Sequence, residues 1–305
     1  MRILLIAGGW SEEREVSLAG AEQIGPSLAA LGHEVTCFDL IEGWGALVQA
    51  VQSMDFAYLN LHGTPGEDGS VQALLERLGV PYQGAGPAAS MLALNKAQSK
   101  NFFVRAGIAT PRWRFVPPGR QAQSGPPAFP CVVKPNAGGS SVGVSIVQNR
   151  QELDQSLKDP ALAGRDLIFE EYVPGREVTC AVLGGEALPL ILIKPRSGRF
   201  FDYREKYDPA GAEEICPAPI EDGLTREIQM LSLKAHACLG LADYSRADFI
   251  VDDDDRPHLL EVNTLPGMTR TSLLPRAAKA VGLDFSSLLA RLLEMGMTKF
   301  GHGPV

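Results

Sequence analysis

Apolar and polar positions in the first part of the chain fall into short apolar runs separated by segments of helical period. Over residues 1–85 the runs RILLIAG, EVTCFD, FAYLNLHG and VPYQG alternate with helical patterns at 16–31, 44–52 and 71–78. Short apolar runs bounded by turn residues read as buried strands, and their alternation with helices predicts a parallel sheet with right-handed crossovers. The loops GGWSEEREVS and HGTPGEDGS follow the first and third strands. They are therefore expected at the carboxyl ends of parallel strands, where open α/β sheets bind ligands.

From about residue 88 the pattern changes. AASMLALNKAQSKNFFVRAG has helical period and is followed by TPRWRFVPP and a Gly/Pro/Ser-rich stretch at 117–127. FPCVVKPN, GGSSVG and VSIVQN read as strand, glycine-rich turn and strand; a helix at 152–157 then leads to the strand DLIFEEYV. The remainder predicts strands at EVTCAVLGG and ALPLILIKP, an irregular loop at 197–219, a helix at 225–239, a hairpin within 246–263 and a last helix at 285–295. A loop that long is often a functional lid. The expected organisation is α/β, with an N-terminal parallel α/β domain (1–87), a small α+β middle domain (88–180) and a C-terminal α+β domain with an antiparallel sheet (181–305).

Composition narrows the functional classes. The 305 residues are 45% hydrophobic and 21% charged with a net charge of −8, which argues against a general nucleic-acid or anionic-membrane surface. No apolar run reaches membrane-spanning length, and MRILLIAGG reads as a first strand, not a signal peptide. Five scattered cysteines, Cys37, Cys131, Cys180, Cys216 and Cys238, contain no C-x-x-C pair and favour a reducing cytoplasm.

The richest chemistry lies in RADFIVDDDDRPHLLEVNTLPGMTRTS at 246–272. Glu261 and Asn263 share one strand face, roughly 7 Å apart. If Asp254 and Asp255 form the turn, Asp248 falls opposite Glu261. Such hard oxygen donors suit Mg²⁺, although carboxylates on a solvated hairpin would read the same way. Arg246, on the face of Asp248, could stabilise developing negative charge or serve as an internal counter-ion. The N–H of Gly267 lies close by in sequence. In KPNAGGSSVGVS, Gly138, Gly139 and Gly143 permit backbone angles that aim successive N–H groups at one point, and Ser140 and Ser141 add hydroxyls. This is a phosphate cradle or a plain glycine hairpin; it lacks Walker A spacing. Lys134 ends an apolar strand, where a cation calls for an anion, whereas Lys96, in a helix, reads by itself as a surface lysine. Within FEEYVPGREVT, Glu170 to Val173 offer main-chain groups to a purine edge and Glu177 an acceptor for a ribose hydroxyl. Glu15 at a helix start is accounted for by the helix dipole. His62 and Tyr207, taken singly, read as structural residues.

The order and spacing of EREVSL, LHGTPGEDG, VVKPNAGGSSVG, EEYVPGREVT, DYREKY, RADF and EVNTLPGMT resemble the D-alanine–D-alanine ligases of the ATP-grasp superfamily, from about residue 3 to residue 295. The resemblance implies a three-domain ATP-grasp architecture, with ATP between the middle and C-terminal domains, and peptidoglycan-precursor synthesis in a bacterial cytoplasm by a homodimer. By motif position, Lys96 and Lys134 would bind ATP phosphates, with Gly139 and Ser141 in the loop that closes over them. Glu170, Glu171, Val173 and Glu177 would hold adenine and ribose; Asp248, Glu261 and Asn263 would coordinate two Mg²⁺ (or Mn²⁺). Glu15 would anchor the ammonium of the first D-alanine beside His62. Arg246 and the Gly267 N–H would form the oxyanion site, and Ser272, with Lys206 and Tyr207, would receive the second D-alanine. Glu15, Ser140 and Tyr207 would form a triad latching the long loop. The chain departs from some members at Gly138, where they carry a charge, and at Leu265, where others have Ser. Alternative readings are a D-alanine–D-lactate or D-alanine–D-serine ligase, another ATP-grasp carboxylate–amine ligase, or a non-catalytic nucleotide-binding module. EKY with Tyr207 speaks for the dipeptide-forming type, EREVS against a general carboxylate–amine ligase, and the intact set Arg246, Asp248, Glu261 and Asn263 against the module.

Overall fold

A computed structural model describes residues 1–139, 142–195 and 212–302. The N-terminal sheet is parallel, in the order β2 (Glu34–Asp39), β1 (Arg2–Ala7), β3 (Phe56–Leu59). Helices α1 (Arg14–Ala30), α2 (Trp44–Val51) and α3 (Ser70–Leu78) supply the crossovers. The run VPYQG adds a single parallel bridge, Ala57 to Tyr82, and no strand; Pro81 has no N–H with which to extend a ladder.

The helix expected over the next segment is two helices, α4 (Pro87–Leu94) and α5 (Lys96–Arg105). Asn95 breaks them: it is extended (φ −81°, ψ 94°) and its side chain accepts the Gln98 N–H. Asn competes with helical backbone bonds and prefers this capping position. The pair is not part of the middle unit's core, because Ala93, Phe103 and Ile108 bury against Val178, Phe249 and Leu259 of the C-terminal sheet.

The middle unit is a four-stranded antiparallel sheet ordered β4 (Trp113–Val116), β7 (Leu167–Glu171), β5 (Cys131–Pro135), β6 (Ser145–Val147), packed by α6 (Arg150–Ser156). The large sheet contains β8 (Arg176–Leu183), β9 (Glu186–Ala187), β10 (Ile191–Pro195), β11 (Ala212–Ile215), β12 (Tyr244–Val251) and β13 (Pro257–Asn263). Its order is β11-β10-β8-β12-β13, with β9 beside β8. Two expectations need correction. The domain boundary placed between residues 180 and 181 falls inside β8, which belongs wholly to the large sheet. The distal part of the expected loop is β11, paired to β10 through Leu192 and Ile215.

Helix α7 (Asp222–Cys238) covers this sheet, and α8 (Leu273–Ala280) is a helix absent from the expected elements. Pro275 lies in the first turn of α8, where no intrahelical N–H bond is lost. The last helix, α9 (Phe285–Lys299), returns to the N-terminal unit: Leu288, Leu289 and Leu292 share a core with Ile3 and Phe56.

Candidate active site

The hairpin β12–β13 pairs Arg246 with Asn263 and Asp248 with Glu261. The turn is not a two-residue Asp254–Asp255 turn. Five residues, 252–256, form the connection, whose ends meet where the Asp252 N–H donates to the Arg256 carbonyl at 3.1 Å. That longer loop alone would set Asp248 opposite Leu260. A bulge restores the pairing, because the register steps from Phe249↔Leu259 to Asp248↔Glu261. The extra residue, Leu260, lines the adjoining cavity.

Asp248 is buried, and its carboxylate accepts from Thr179 Oγ1 (2.6 Å), Arg246 Nε and Nη2 (both 2.8 Å) and Asn263 Nδ2 (2.9 Å). The fork of Arg246 thereby aligns with both carboxylate oxygens. Lys96 Nζ lies 3.1 Å from Glu261. Two carboxylates and an amide on paired strands form a hard-oxygen donor set of the kind Mg²⁺ takes, so these residues fit the metal.

A cavity of about 660 Å³, large enough for a nucleotide, lies between the middle and large sheets. Val132, Val144, Leu192 and Ile250 form apolar walls; Lys96, Lys134, Glu170, Glu177, Asp248 and Glu261 supply polar groups. Lys96 and the glycine loop are tied together. The Lys96 N–H donates to the Asn136 carbonyl (3.0 Å), the Ala97 N–H to Asn136 Oδ1 (2.9 Å), and Asn136 Nδ2 to Asn95 Oδ1 (3.0 Å). Lys96 Nζ also donates to the Gly138 carbonyl at 2.6 Å. Gly138 (φ 130°) adopts a conformation that side chains disfavour.

Glu170 is buried between two lysines, with Oε2 2.8 Å from Lys134 and Oε1 3.1 Å from Lys100. Burial opposes its charge, but Lys100 and Lys134 outweigh that and hold its pKa below the usual carboxylate value. For Lys134 burial likewise opposes the charge; Glu170, Glu261 and Glu177 prevail and its pKa is raised. Lys100 was missed in the sequence, although it sits one turn beyond Lys96 on α5. Burial, only partly offset by Glu170, brings its pKa down to about 8. The Glu171 carboxylate is committed to Arg112 at 2.7 and 3.0 Å, while Glu171 and Val173 line the cavity wall.

A second cavity, about 380 Å³, adjoins the glycine loop and is lined by Trp10, Glu13, Gly63, Thr64, Gly138 and Gly139. Glu15 is not among these residues. Its side chain is 86% exposed and pairs with Arg14 at 3.1 Å. Glu13 faces the site instead: a Cβ on Gly139 would lie 2.8 Å from Glu13 Oε2. The signal was present, since the buried stripe Ser17, Ala21, Ile24 and Leu28 extends back by four residues to Glu13, whereas Glu15 lies on the opposite face. His62 is buried, with Nδ1 3.1 Å from the Leu265 carbonyl and no partner for Nε2 among the described residues. Beneath it the buried Glu67 accepts from the Gly63 N–H (2.9 Å) and the Leu265 N–H (3.2 Å). Burial, aided by Glu13 and opposed by His62, raises the Glu67 pKa. Ser272 sits at the start of α8, its Oγ 3.1 Å from where a Cβ on Gly267 would stand. Ser140, Ser141, Lys206 and Tyr207 lie outside the described residues.

A cavity between two antiparallel sheets, with Lys134 on one side and Asp248 and Glu261 on the other, makes this an ATP-grasp enzyme in fold and site. Residues 103–294 match the family described as D-ala D-ala ligase C-terminus, and residues 43–85 the one described as D-ala D-ala ligase N-terminus. The D-alanine--D-alanine ligase of Desulfovibrio desulfuricans is 56% identical over 299 residues, 97% of each chain. The crystal structure of the Bacillus anthracis D-alanine--D-alanine ligase complexed with ATP superposes with a TM-score of 0.85 at 33% identity, covering 99% of both chains. The VanG D-Ala:D-Ser ligase from Enterococcus faecalis gives 0.82 at 27% identity, over 96% of this chain and 98% of that one. The chain belongs to the D-alanine–D-alanine ligase family.

Proposed function

We propose that the protein joins two D-alanines at the expense of ATP, through a D-alanyl phosphate, in peptidoglycan-precursor synthesis. The observation that carries this reading is the juxtaposition of two cavities across the glycine loop. One is nucleotide-sized and holds Lys96, Lys134, Asp248 and Glu261; the other is smaller and holds Glu13. Lys96 and Lys134 bind the ATP phosphates, and the main chain of Glu171 to Val173 meets the adenine edge. Glu177 accepts from the ribose. Glu13, in place of Glu15, holds the ammonium of the first D-alanine, with His62 beside its carboxylate.

Asp248, Glu261 and Asn263 would hold two Mg²⁺ (or Mn²⁺), which would supply charge neutralisation for phosphoryl transfer. Arg246 and the Gly267 N–H stabilise the oxyanion that forms when the second amine attacks the acyl phosphate. Ser272 receives the second D-alanine, a role that Lys206 and Tyr207 share by motif. The acyl phosphate hydrolyses readily, so the segment carrying Tyr207, with Ser140, excludes water. A homodimer in a bacterial cytoplasm, without nucleic-acid or membrane partners, completes the proposal. So does a three-part chain whose middle unit carries the glycine loop.

The test is phosphate release with Mg-ATP and D-alanine, D-lactate, D-serine or L-alanine, with products identified by mass spectrometry. D-alanyl-D-alanine from D-alanine alone is the expected result. Release only with a mixed pair would make the enzyme a depsipeptide or D-alanine–D-serine ligase, and no release would remove the ligase reading.

A further inference from the structure

Ser272 opens α8 and closes a short turn. Its Oγ accepts the Thr269 N–H at 3.1 Å and meets Thr269 Oγ1 at 2.8 Å, and its N–H donates to the Thr269 carbonyl at 3.0 Å. Those bonds fix the shape of the turn but not its position in the molecule. Two arginines tie it down, one on each side. Arg270 binds it to α1: its N–H donates to Gln23 Oε1 (2.8 Å), its Nη2 to Ser27 Oγ (3.1 Å), and its guanidinium lies 4.7 Å from the centre of the Phe285 ring.

Arg276 binds the other side to β11. Its N–H donates to the Ser272 carbonyl at 3.0 Å. Its Nη1 donates to the Glu214 carbonyl at 3.1 Å, and its Nη2 lies 3.0 Å from Glu214 Oε2 and 3.5 Å from the Thr271 carbonyl. Glu214 pairs with Ile193 across the β10–β11 ladder, and Ile193 with Glu177 of β8. Directly paired residues share a face, so Glu214 stands on the face of Ile193 and Glu177, which line the nucleotide cavity. Burial raises the Glu214 pKa, opposed by Arg276 and Arg246. A fork that takes the carbonyl and the carboxylate of one residue together is a geometry that lysine does not reproduce.

We propose that Arg276 is a positioning residue that sets Ser272 against β11 through Glu214, and so governs the affinity for the second D-alanine while leaving that for the first unchanged. The inference deepens the ligase reading and rests on Ser272 as the acceptor subsite. The cavity that holds Glu13 is lined by neither Arg276 nor Glu214. Without the guanidinium the turn keeps its internal bonds and its tie to α1, and Leu274, Ala277 and Ala278 keep α8 in the shared core. What is lost is the polar anchor to β11.

The experiment measures the two D-alanine constants of the full chain at saturating Mg-ATP, from the concentration dependence of D-alanyl-D-alanine formation. Hydroxylamine gives a second readout: it attacks the acyl phosphate to yield D-alanyl hydroxamate and phosphate, and is small enough to need no acceptor subsite. In Arg276→Met, the acceptor constant should rise about tenfold while the donor constant and the hydroxamate rate stay within about twofold. Arg276→Lys, which restores the charge without the fork, should recover part of the loss. Glu214→Gln should raise the acceptor constant by a smaller factor than Arg276→Met. An unchanged acceptor constant in Arg276→Met, or equal rises in both constants, overturns the proposal. If Arg276→Met does not fold, an unchanged acceptor constant in Glu214→Gln does so. Formation of neither dipeptide nor hydroxamate by the unaltered protein would remove the ligase reading itself, a failure distinct from an unchanged acceptor constant.

Discussion

Replacing Asn136 by Ala tests how the glycine loop is held against the helix that carries Lys96. Asn136 is 2% exposed and makes two side-chain bonds, accepting from the Ala97 N–H and donating to Asn95 Oδ1. In the variant the buried Ala97 N–H, at the start of α5, has no partner, which costs about 1–3 kcal/mol. The bond to Asn95 contributes about 1 kcal/mol more. Asn95 Oδ1 keeps the Gln98 N–H, and the Asn136 carbonyl keeps the Lys96 N–H, so the fold survives. The sum is about 2–4 kcal/mol. At about 2.1 cal/mol/K per residue for unfolding entropy, a 305-residue chain then loses about 3–6 °C in Tm. Because the same clamp sets Lys96 against Gly138, KM for ATP should rise about fivefold, the equivalent of about 1 kcal/mol, with KM for D-alanine unchanged. Differential scanning calorimetry and steady-state phosphate release read both effects. A Tm within 1 °C of the parent together with an unchanged KM for ATP would refute the clamp.

Glu13→Gln should raise KM for D-alanine at least tenfold, while Glu15→Gln stays within twofold; steady-state kinetics on both variants decides which carboxylate serves the site. Glu261→Gln should abolish D-alanine-dependent phosphate release while leaving the far-ultraviolet circular dichroism intact, and undiminished turnover would remove the metal assignment. Lys100, facing Glu170, Lys134, Glu261 and the Trp113 ring, has its pKa lowered by burial from 10.5 to about 8, whereas Lys134 is raised and stays charged. Between about pH 8 and 10.5 the unfolded chain binds more protons at this lysine than the folded one, so its contribution to folding rises with pH and disappears in Lys100→Met on chemical denaturation.

What the sequence made legible follows from the range of the interactions involved. Strands β1 and β3 are read from local apolar runs because their burial on both faces leaves a continuous hydrophobic signature. The pairing of Asp248 with Glu261 came out as expected for an incomplete reason: a five-residue connection displaces the register by one, and the bulge at Leu260 returns it. A bulge has no local signature in HLLEVN that separates it from plain alternation. Asn95 was hidden in a segment of unbroken helical period, because the residue that rewards its break, Asn136, lies 41 positions away. Both Glu13 and Glu15 lie in the EREVS motif, whose residue types do not say which carboxylate turns inward; the stripe that begins at Ser17 points back to Glu13.

The partner of a terminal helix is likewise a long-range matter, and here it bears on how the site is assembled. Helix α9 closes the N-terminal core, and Ala181, Leu183, Ile191 and Tyr244 of the large sheet enter that same core. Lys299 at its end donates to the Gly84 carbonyl and pairs with Asp243 at 3.2 Å, which joins the two units again. The middle sheet buries a separate cluster around Val133, Leu153 and Phe169. Glu13, His62, Arg246, Asp248 and Gly267 therefore stand on a frame whose parts share one interior. Lys134, Glu170 and the glycine loop stand on a unit with an interior of its own. Ties between them that reach the site are polar: Lys100 on Glu170, Lys96 on Gly138, and Asn136 on Ala97 and Asn95. The lysine proposed to meet the ATP phosphates, Lys96, is thus also one of the tethers that hold the glycine loop to the frame.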